Sequence, residues 1–259
     1  IGIAVGSPVT VLERPAVPGP SSRDHKYSRG LVAVVAGEMD GAAMLAARAA
    51  QRSGAGYVVL AGHNAMGPAA LVTRSVESIL RDDRLSAVVI GCGLGRGDRA
   101  GMLVDAAVAA GRPRVIDADA LALLDPDRIA RIESPAIVTP HEGEFLSLFG
   151  DLPGGRVDRA LAAARACGKV VILKGALTVI ASPDGRARLA SRAPASLASA
   201  GTGDVLAGIA GTMLAQLHDP FEAAGAAVWL HAAAARIAGP CLIADDLPAA
   251  LPLAVARCA

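Results

Sequence analysis

Residues 31–61 read LVAVVAGEMDGAAMLAARAAQRSGAGYVVLA, and this stretch decides the fold class. Residues 31–36 are a short, unbroken apolar run, which suits a strand buried on both faces. Residues 41–53 are rich in small residues, above all Ala, and are closed by Gly54, which predicts a helix. Residues 57–61 are a second apolar run and predict a second strand. A strand, a helix and a strand in this order predict parallel pairing with the helix as the crossover.

The same rhythm runs outward to the C-terminus. Strands are predicted over residues 86–91, 114–117, 136–139 and 170–173, and helices over residues 65–74, 98–110, 120–124 and 154–167. Residues 177–181 and 186–190 flank Ser182-Pro183-Asp184-Gly185 and read as a hairpin. Helices follow over residues 204–217, 220–238 and 247–257. The pattern predicts an α/β domain with a mostly parallel sheet covered on both faces. Upstream, Pro8, Pro15, Pro18 and Pro20 exclude a long helix, so residues 1–30 read as an irregular linker or arm and residues 31–259 as one domain.

Composition narrows the function. A formal net charge of +1 gives no electrostatic case for nucleic acid or an acidic membrane, and 2% aromatic residues leave little for base stacking. The most apolar stretch, residues 223–239, is interrupted by His231 and Arg236, so no membrane span is expected. Cys92, Cys167, Cys241 and Cys258 show neither CxxC nor ligand spacing to a His, which disfavours structural zinc and a disulfide framework and suits a reducing, cytoplasmic setting.

In parallel sheets, ligands bind beyond the carboxyl ends of strands, and the polar residues collect in those turns. They are GEMDGA (37–42), GCGLGRG (91–97), DAD (117–119), TPHEGE (139–144), KGA (174–176) and GTGD (201–204). No GxxxxGK[ST] is present, and GCGLG lies too deep in the series to be a Rossmann fingerprint. GTGD opens a helix. Its glycines and Thr202 could present amides to a developing negative charge, with Asp204 beside it as a base for phosphoryl transfer; equally, Asp204 could merely complement the helix dipole. Lys174 could contact a nucleotide phosphate or snorkel from a strand end. His141 could bind substrate or simply be exposed. Glu144 could order a magnesium-bound water or cap a helix. Asp117 and Asp119 read by default as caps of the short helix that follows. His25, His63, His218 and His231 read as non-catalytic, and Trp229 as core.

Taken together and in order, GAAMLAARAAQRSGAGYVVL, VVIGCGLG, VIDADAL, TPHEGEF, LKGALTVI and AGTGDVLAG resemble the ADP/ATP-dependent NAD(P)H-hydrate dehydratases of the ribokinase-like superfamily. His141 stands where related small-molecule kinases usually carry Asn. The resemblance implies a ribokinase-like three-layer α/β/α sandwich and dehydration of the S form of hydrated NADH or NADPH with ADP or ATP and Mg²⁺. It implies that Lys174, Gly175, Ala176, Leu177, Thr178 and Gly203 bind the adenine nucleotide. Ala42, Gly95, His141 and Asp204 would face the hydrated dinucleotide, with Asp204 as base, Gly201, Thr202 and Gly203 as anion hole, and Glu144 reaching the metal through water. It also implies a homo-oligomer and a natural fusion, because Ile1-Gly2-Ile3 resembles the tail of the epimerase half of the bifunctional repair enzyme. This sequence departs from the pattern at Cys92, where Pro is usual, and in residues 193–200, which lack a Gly-Asn-Pro-Gly stretch. Two other readings share the GTGD turn: a kinase of a small hydroxylated vitamin precursor, and a nucleotide-binding module without catalysis.

Overall fold

The apolar runs assemble into one sheet in the computed structural model, which describes residues 8–62, 67–190 and 193–258. Its strands are β1 (Val9–Val11), β2 (Leu31–Val35), β3 (Tyr57–Ala61), β4 (Val72–Arg74), β5 (Leu85–Ile90), β6 (Arg114–Ile116), β7 (Ala136–Val138), β8 (Val170–Leu173), β9 (Thr178–Ala181) and β10 (Ala187–Ala190). They lie side by side in the order β1-β10-β9-β8-β7-β6-β5-β2-β3-β4. Only β9 runs antiparallel to its neighbours. The helices are α1 (Asp40–Arg52), α2 (Val76–Leu80), α3 (Asp98–Ala109), α4 (Asp119–Ala122), α5 (Pro126–Ala130), α6 (Glu142–Phe149), α7 (Arg156–Cys167), α8 (Thr202–Leu217), α9 (Pro220–Ala238) and α10 (Asp246–Ala256).

Side chains on a strand alternate between faces, and here both faces are dry. Val32 and Val34 of β2 belong to the core that α1, α8, α9 and α10 cover, while Leu31, Ala33 and Val35 belong to the core on the other side, covered by α2, α3 and α7. The result is the expected three-layer sandwich. Small residues set its thickness: a Cβ on Gly208 of α8 would sit 2.0 Å from the Ala46 carbonyl of α1, so that crossing requires glycine. Thr212 Oγ1 donates to the Ala50 carbonyl one turn along the same contact, at 3.1 Å.

Three expectations change. Of the helix expected over residues 65–74, residues 65 and 66 lie outside the described set, and Val72–Arg74 is a strand paired with β3. Pro68 interrupts helical hydrogen bonding there, and Val72 and Thr73 are β-branched. The supposedly irregular residues 1–30 contribute β1, which pairs in parallel with β10, and Val17 is buried in the core. Residues 142–149, given no element from the sequence, form α6. His63 and Ile1-Gly2-Ile3 lie outside the described residues. Among those described, no helix is long and apolar enough to cross a membrane.

Candidate active site

The strand order reverses between β2 and β5, and the loops leaving these two strands lock together. Met39 N donates to the Gly93 carbonyl at 2.9 Å. A Cβ on Gly37 would lie 2.3 Å from Leu94 Cα, and one on Gly93 would meet Met39 and Ala42. Ala42, at the start of α1, therefore sits against the GCGLG loop. Gly95 has φ +81, and its amide donates to Asp119 Oδ2 at 3.0 Å; the Glu38 side chain fills the space its missing Cβ leaves.

Next along the sheet, Asp117 follows β6 and is buried. Its Oδ1 accepts from Thr139 Oγ1 at 2.6 Å and from Lys174 Nζ at 2.8 Å. Asp119 takes Gly95 N and Arg96 instead of capping. The helix α4 has no side-chain cap, and Ala118 before it is held at φ 46. The default reading of both aspartates as helix caps is thus corrected. Capping would satisfy one amide, whereas Asp117 is claimed by a cation that β8 delivers to the same end of the sheet. Lys174 Nζ also lies 3.7 Å from Glu144 Oε2. Burial works against the Lys174 charge, but Asp117 and Glu144 outweigh it and raise its pKa. Lys174 is therefore a fixed cation rather than a snorkelling one.

His141 and Glu144 form a reciprocal cap on α6. His141 Nδ1 accepts from Glu144 N at 3.1 Å, and Glu144 Oε2 accepts from His141 N at 2.7 Å. This leaves the His141 ring more than half exposed at the mouth of a cavity of about 520 Å³. Lys174, Gly175, Ala176, Thr178, Thr202 and Gly203 line the same cavity. Leu177 is in the turn but is not part of the lining.

Gly201 precedes α8 at φ +84, and a Cβ there would press on Leu45 and Ala244, so glycine is required twice over. The first-turn amides of α8 precede the helix's own hydrogen-bond ladder and face an end that favours negative charge. Asp204 falls outside the cavity lining, toward the loops after β5 and β6. Its carboxylate, the Asp117 carboxylate and the Cys92 sulfur all lie within 4.8 Å of one another. Burial first, then repulsion from Asp117, lifts the Asp204 pKa to about 6. The Cys92 thiol is pushed well above its usual range by burial and by both carboxylates, so it stays protonated and can only donate.

The structure thus brings Lys174, Gly175, Ala176, Thr178, Gly203, Thr202 and His141 around one cavity, with Asp204 and Glu144 beside them, Ala42 in the first turn of α1 and Gly95 on the loop packed against it. Sequence reasoning missed Asp117 as a member of the site. It also missed His231 of α9, buried in the cavity wall with Nε2 unpartnered and its pKa lowered to about 4, chiefly by burial. Nothing local marks Asp117; the signal is its partnership with Lys174, which only the fold reveals.

A mostly parallel α/β/α sandwich with a Gly-Thr-Gly-Asp helix start facing a half-buried lysine defines a ribokinase-like fold. The crystal structure of a ribokinase-like superfamily protein from Enterococcus faecalis has the same fold, with a TM-score of 0.86 at 23% identity over 97% of each chain. Residues 32–243 match the family model for NAD(P)H-hydrate dehydratase, and the chain belongs to that family. It is 38% identical over 235 residues to the ADP-dependent (S)-NAD(P)H-hydrate dehydratase of Neisseria meningitidis, covering 82% of this chain and 78% of that protein. The ADP/ATP-dependent NAD(P)H-hydrate dehydratase of Bacillus subtilis, co-crystallised with ATP and Mg²⁺, superposes with a TM-score of 0.82 at 32% identity, over 94% of this chain and 95% of that one. The chain spans about half the length of the bifunctional NAD(P)H-hydrate repair enzymes it also matches.

Proposed function

We propose that this chain dehydrates the S form of hydrated NADH or NADPH back to the reduced dinucleotide, consuming ADP or ATP. The observation that carries the reading is the placement of Asp204 at the anion-favouring start of α8, within 4.8 Å of the Asp117 carboxylate that pairs with the fixed cation Lys174. In this reading the nucleotide lies in the 520 Å³ cavity. Its phosphates approach Lys174 and the turn from Gly175 to Thr178, and its terminal phosphoryl group meets the amides of Gly201, Thr202 and Gly203. The hydrated nicotinamide ring lies toward Ala42, Gly95 and His141, with its hydroxyl against Asp204.

Asp204 takes the hydroxyl proton. The ring oxygen attacks the terminal phosphoryl group, and the bond from phosphorus to the nucleotide's bridging oxygen breaks. The carbon–oxygen bond of the ring then breaks, and phosphate leaves with the electron pair. Loss of a proton from the adjacent ring carbon restores the double bond. A hydroxyl is a poor leaving group and phosphate a good one, so a kinase-like site serves a lyase. The role of Asp204 needs a pKa close to working pH, and a value near 6 meets that need.

The donors present suit a magnesium ion arriving with the nucleotide: Asp117 and Asp204 offer hard carboxylate oxygens, and Glu144 could hold a coordinated water. Such an ion would neutralise charge on the phosphates. Cys92 is not a ligand for it, since magnesium prefers oxygen.

The domain and partner readings are proposals on the same footing. Residues 31–259 would be the catalytic unit, extended upstream by β1, and residues 1–30 would lead in from an epimerase half. The length of the bifunctional relatives supports this. Assembly with further copies, and a cytoplasmic setting compatible with four free cysteines, complete the reading.

The test is a mixture of protein, Mg²⁺, hydrated NADH, and ADP or ATP. Nucleotide-dependent return of the reduced-nicotinamide absorbance, with inorganic phosphate released in equal amount, supports the dehydratase. A stable phosphate ester formed on a simple alcohol, with no return of absorbance, would favour the kinase reading.

A further inference from the structure

Three carbonyls converge at the end of β8. Those of Leu173, Lys174 and Leu177 all meet the first residue of α7. Arg156 Nε donates to the Leu177 carbonyl at 2.7 Å, and Nη2 to those of Lys174 at 2.6 Å and Leu173 at 3.3 Å. The remaining arm, Nη1, donates to Glu142 Oε2 at 2.6 Å. Glu142 is the first residue of α6, next to His141, and its second oxygen accepts from Arg159.

Arg156 packs so closely that a Cβ on Gly175 would lie 2.6 Å from its Nη2. A side chain at position 175 would press on the guanidinium, so the KGA turn and Arg156 are packed directly against each other. Three carbonyl oxygens gathered at one place repel one another and need a donor. Only a guanidinium, with five N–H groups in one rigid plane, can serve three carbonyls and a carboxylate together.

The front of the same segment is held by the same helix. Lys174 N donates to the Pro140 carbonyl at 2.9 Å, Lys174 Nζ lies near Glu144, and His141 pairs with Lys174 as an isolated parallel bridge. The start of α6 thus holds Lys174 at its side chain through Glu144 and at its backbone through Glu142 and Arg156.

We propose that Arg156 is a positioning residue for the nucleotide, holding the turn from Lys174 to Leu177 in its binding shape and tying it to the α6 segment that carries His141. This rests on the assignment of that turn to the adenine nucleotide. Arg156 touches neither substrate; it acts through the turn.

The test compares Arg156→Lys, Arg156→Ala and Glu142→Gln with the parent chain. Arg156→Lys keeps the charge but can serve only part of the carbonyl set. Its KM for ATP should rise roughly 10- to 100-fold, the loss of one or two charge-assisted hydrogen bonds, while kcat changes less than about 3-fold. The KM for hydrated NADH should move far less. Arg156→Ala should be worse than Arg156→Lys, and Glu142→Gln milder than both. Two readouts do not need turnover: calorimetric ATP binding, and amide hydrogen exchange of residues 175–178, which should quicken in the Arg156 variants while α7 stays protected. Melting curves identify any variant that fails to fold, in which case Glu142→Gln and the exchange of the turn decide. Unchanged ATP affinity with unchanged exchange of the turn would overturn the proposal, as would equal rises in both KM values. If the parent chain binds ATP but dehydrates nothing, the function reading fails, and binding and exchange still judge Arg156. If the parent chain does not bind ATP at all, the nucleotide assignment and this proposal both fall.

Discussion

Replacing Asp204 with Asn should stabilise the protein above neutral pH while abolishing its chemistry. The Asp204 carboxyl titrates near 6 in the folded protein against an ordinary value of 3.8. The folded state therefore holds this proton more tightly than the unfolded state does. The stability it contributes is fully present below about pH 4 and is lost as pH rises through about 6. A gap of about 2 units corresponds to at most about 3 kcal/mol, at 1.36 kcal/mol per unit. Partial exposure of the carboxylate reduces this, and removing a negative charge from the first turn of α8 costs a further 0.3–1 kcal/mol or so. A net gain of about 1–2 kcal/mol for the Asn variant remains, which for a chain of this size is roughly 2–8 °C in Tm. The assay is thermal or urea unfolding of both proteins at about pH 8 and again at about pH 4. The gain should be present at the higher pH and absent at the lower, where the folded protein already holds the carboxyl protonated and neutral. A variant that is less stable at about pH 8, or a difference that ignores pH, would refute the claim that Asp204 is held ionised against its surroundings.

The same titration should shape catalysis: kcat/KM, which reports the free protein, should rise with pH through an acidic limb near 6, because only the ionised carboxylate accepts the proton, and a kcat/KM profile without that limb would remove Asp204 from the role of base. Lys174→Met should weaken ATP binding roughly 10- to 100-fold in calorimetry and also lower Tm, since it strands the buried Asp117 carboxylate. Gly208→Ala should destabilise the fold by about 1–3 kcal/mol in urea titration, because its Cβ would enter the Ala46 carbonyl. Under native conditions a thiol reagent should modify exposed Cys241 and leave buried, protonated Cys92 untouched until the chain unfolds, as peptide mapping would show.

The layered fold was readable because its strands are buried on both faces. Runs such as residues 31–35 and 170–173 carry no polar alternation, and small-residue helices separate them. The elements that escaped are those whose stability comes from distant partners. The three-residue strand β1 exists because β10 lies beside it, some 180 positions along the chain, and prolines nearby mask it locally. Strand β4 was hidden within a stretch that looked helical, because Val72–Arg74 is an edge segment whose only strand partner among the described residues is β3. Helix α6 did leave a local trace, the His141-x-x-Glu144 spacing of a reciprocal cap, but His is an unusual first member of that pair. In the site, Lys174, His141 and the GTGD turn stood out because each ends a strand or opens a helix. Asp117 did not, because its meaning depends on Lys174, which is 57 positions away in sequence and 2.8 Å away in space. Arg156 escaped for a similar reason: its partners are backbone carbonyls, which carry no sequence signature.

The measurement that bears most directly on the central claim is the return of reduced-nicotinamide absorbance from hydrated NADH, with and without nucleotide, in the parent chain and in Asp204→Asn. Recovery should require ADP or ATP in the parent chain and be absent in the variant, although the variant remains folded and still binds ATP. Recovery in Asp204→Asn at the parental rate, or no recovery by a folded, ATP-binding parent chain, would contradict that claim.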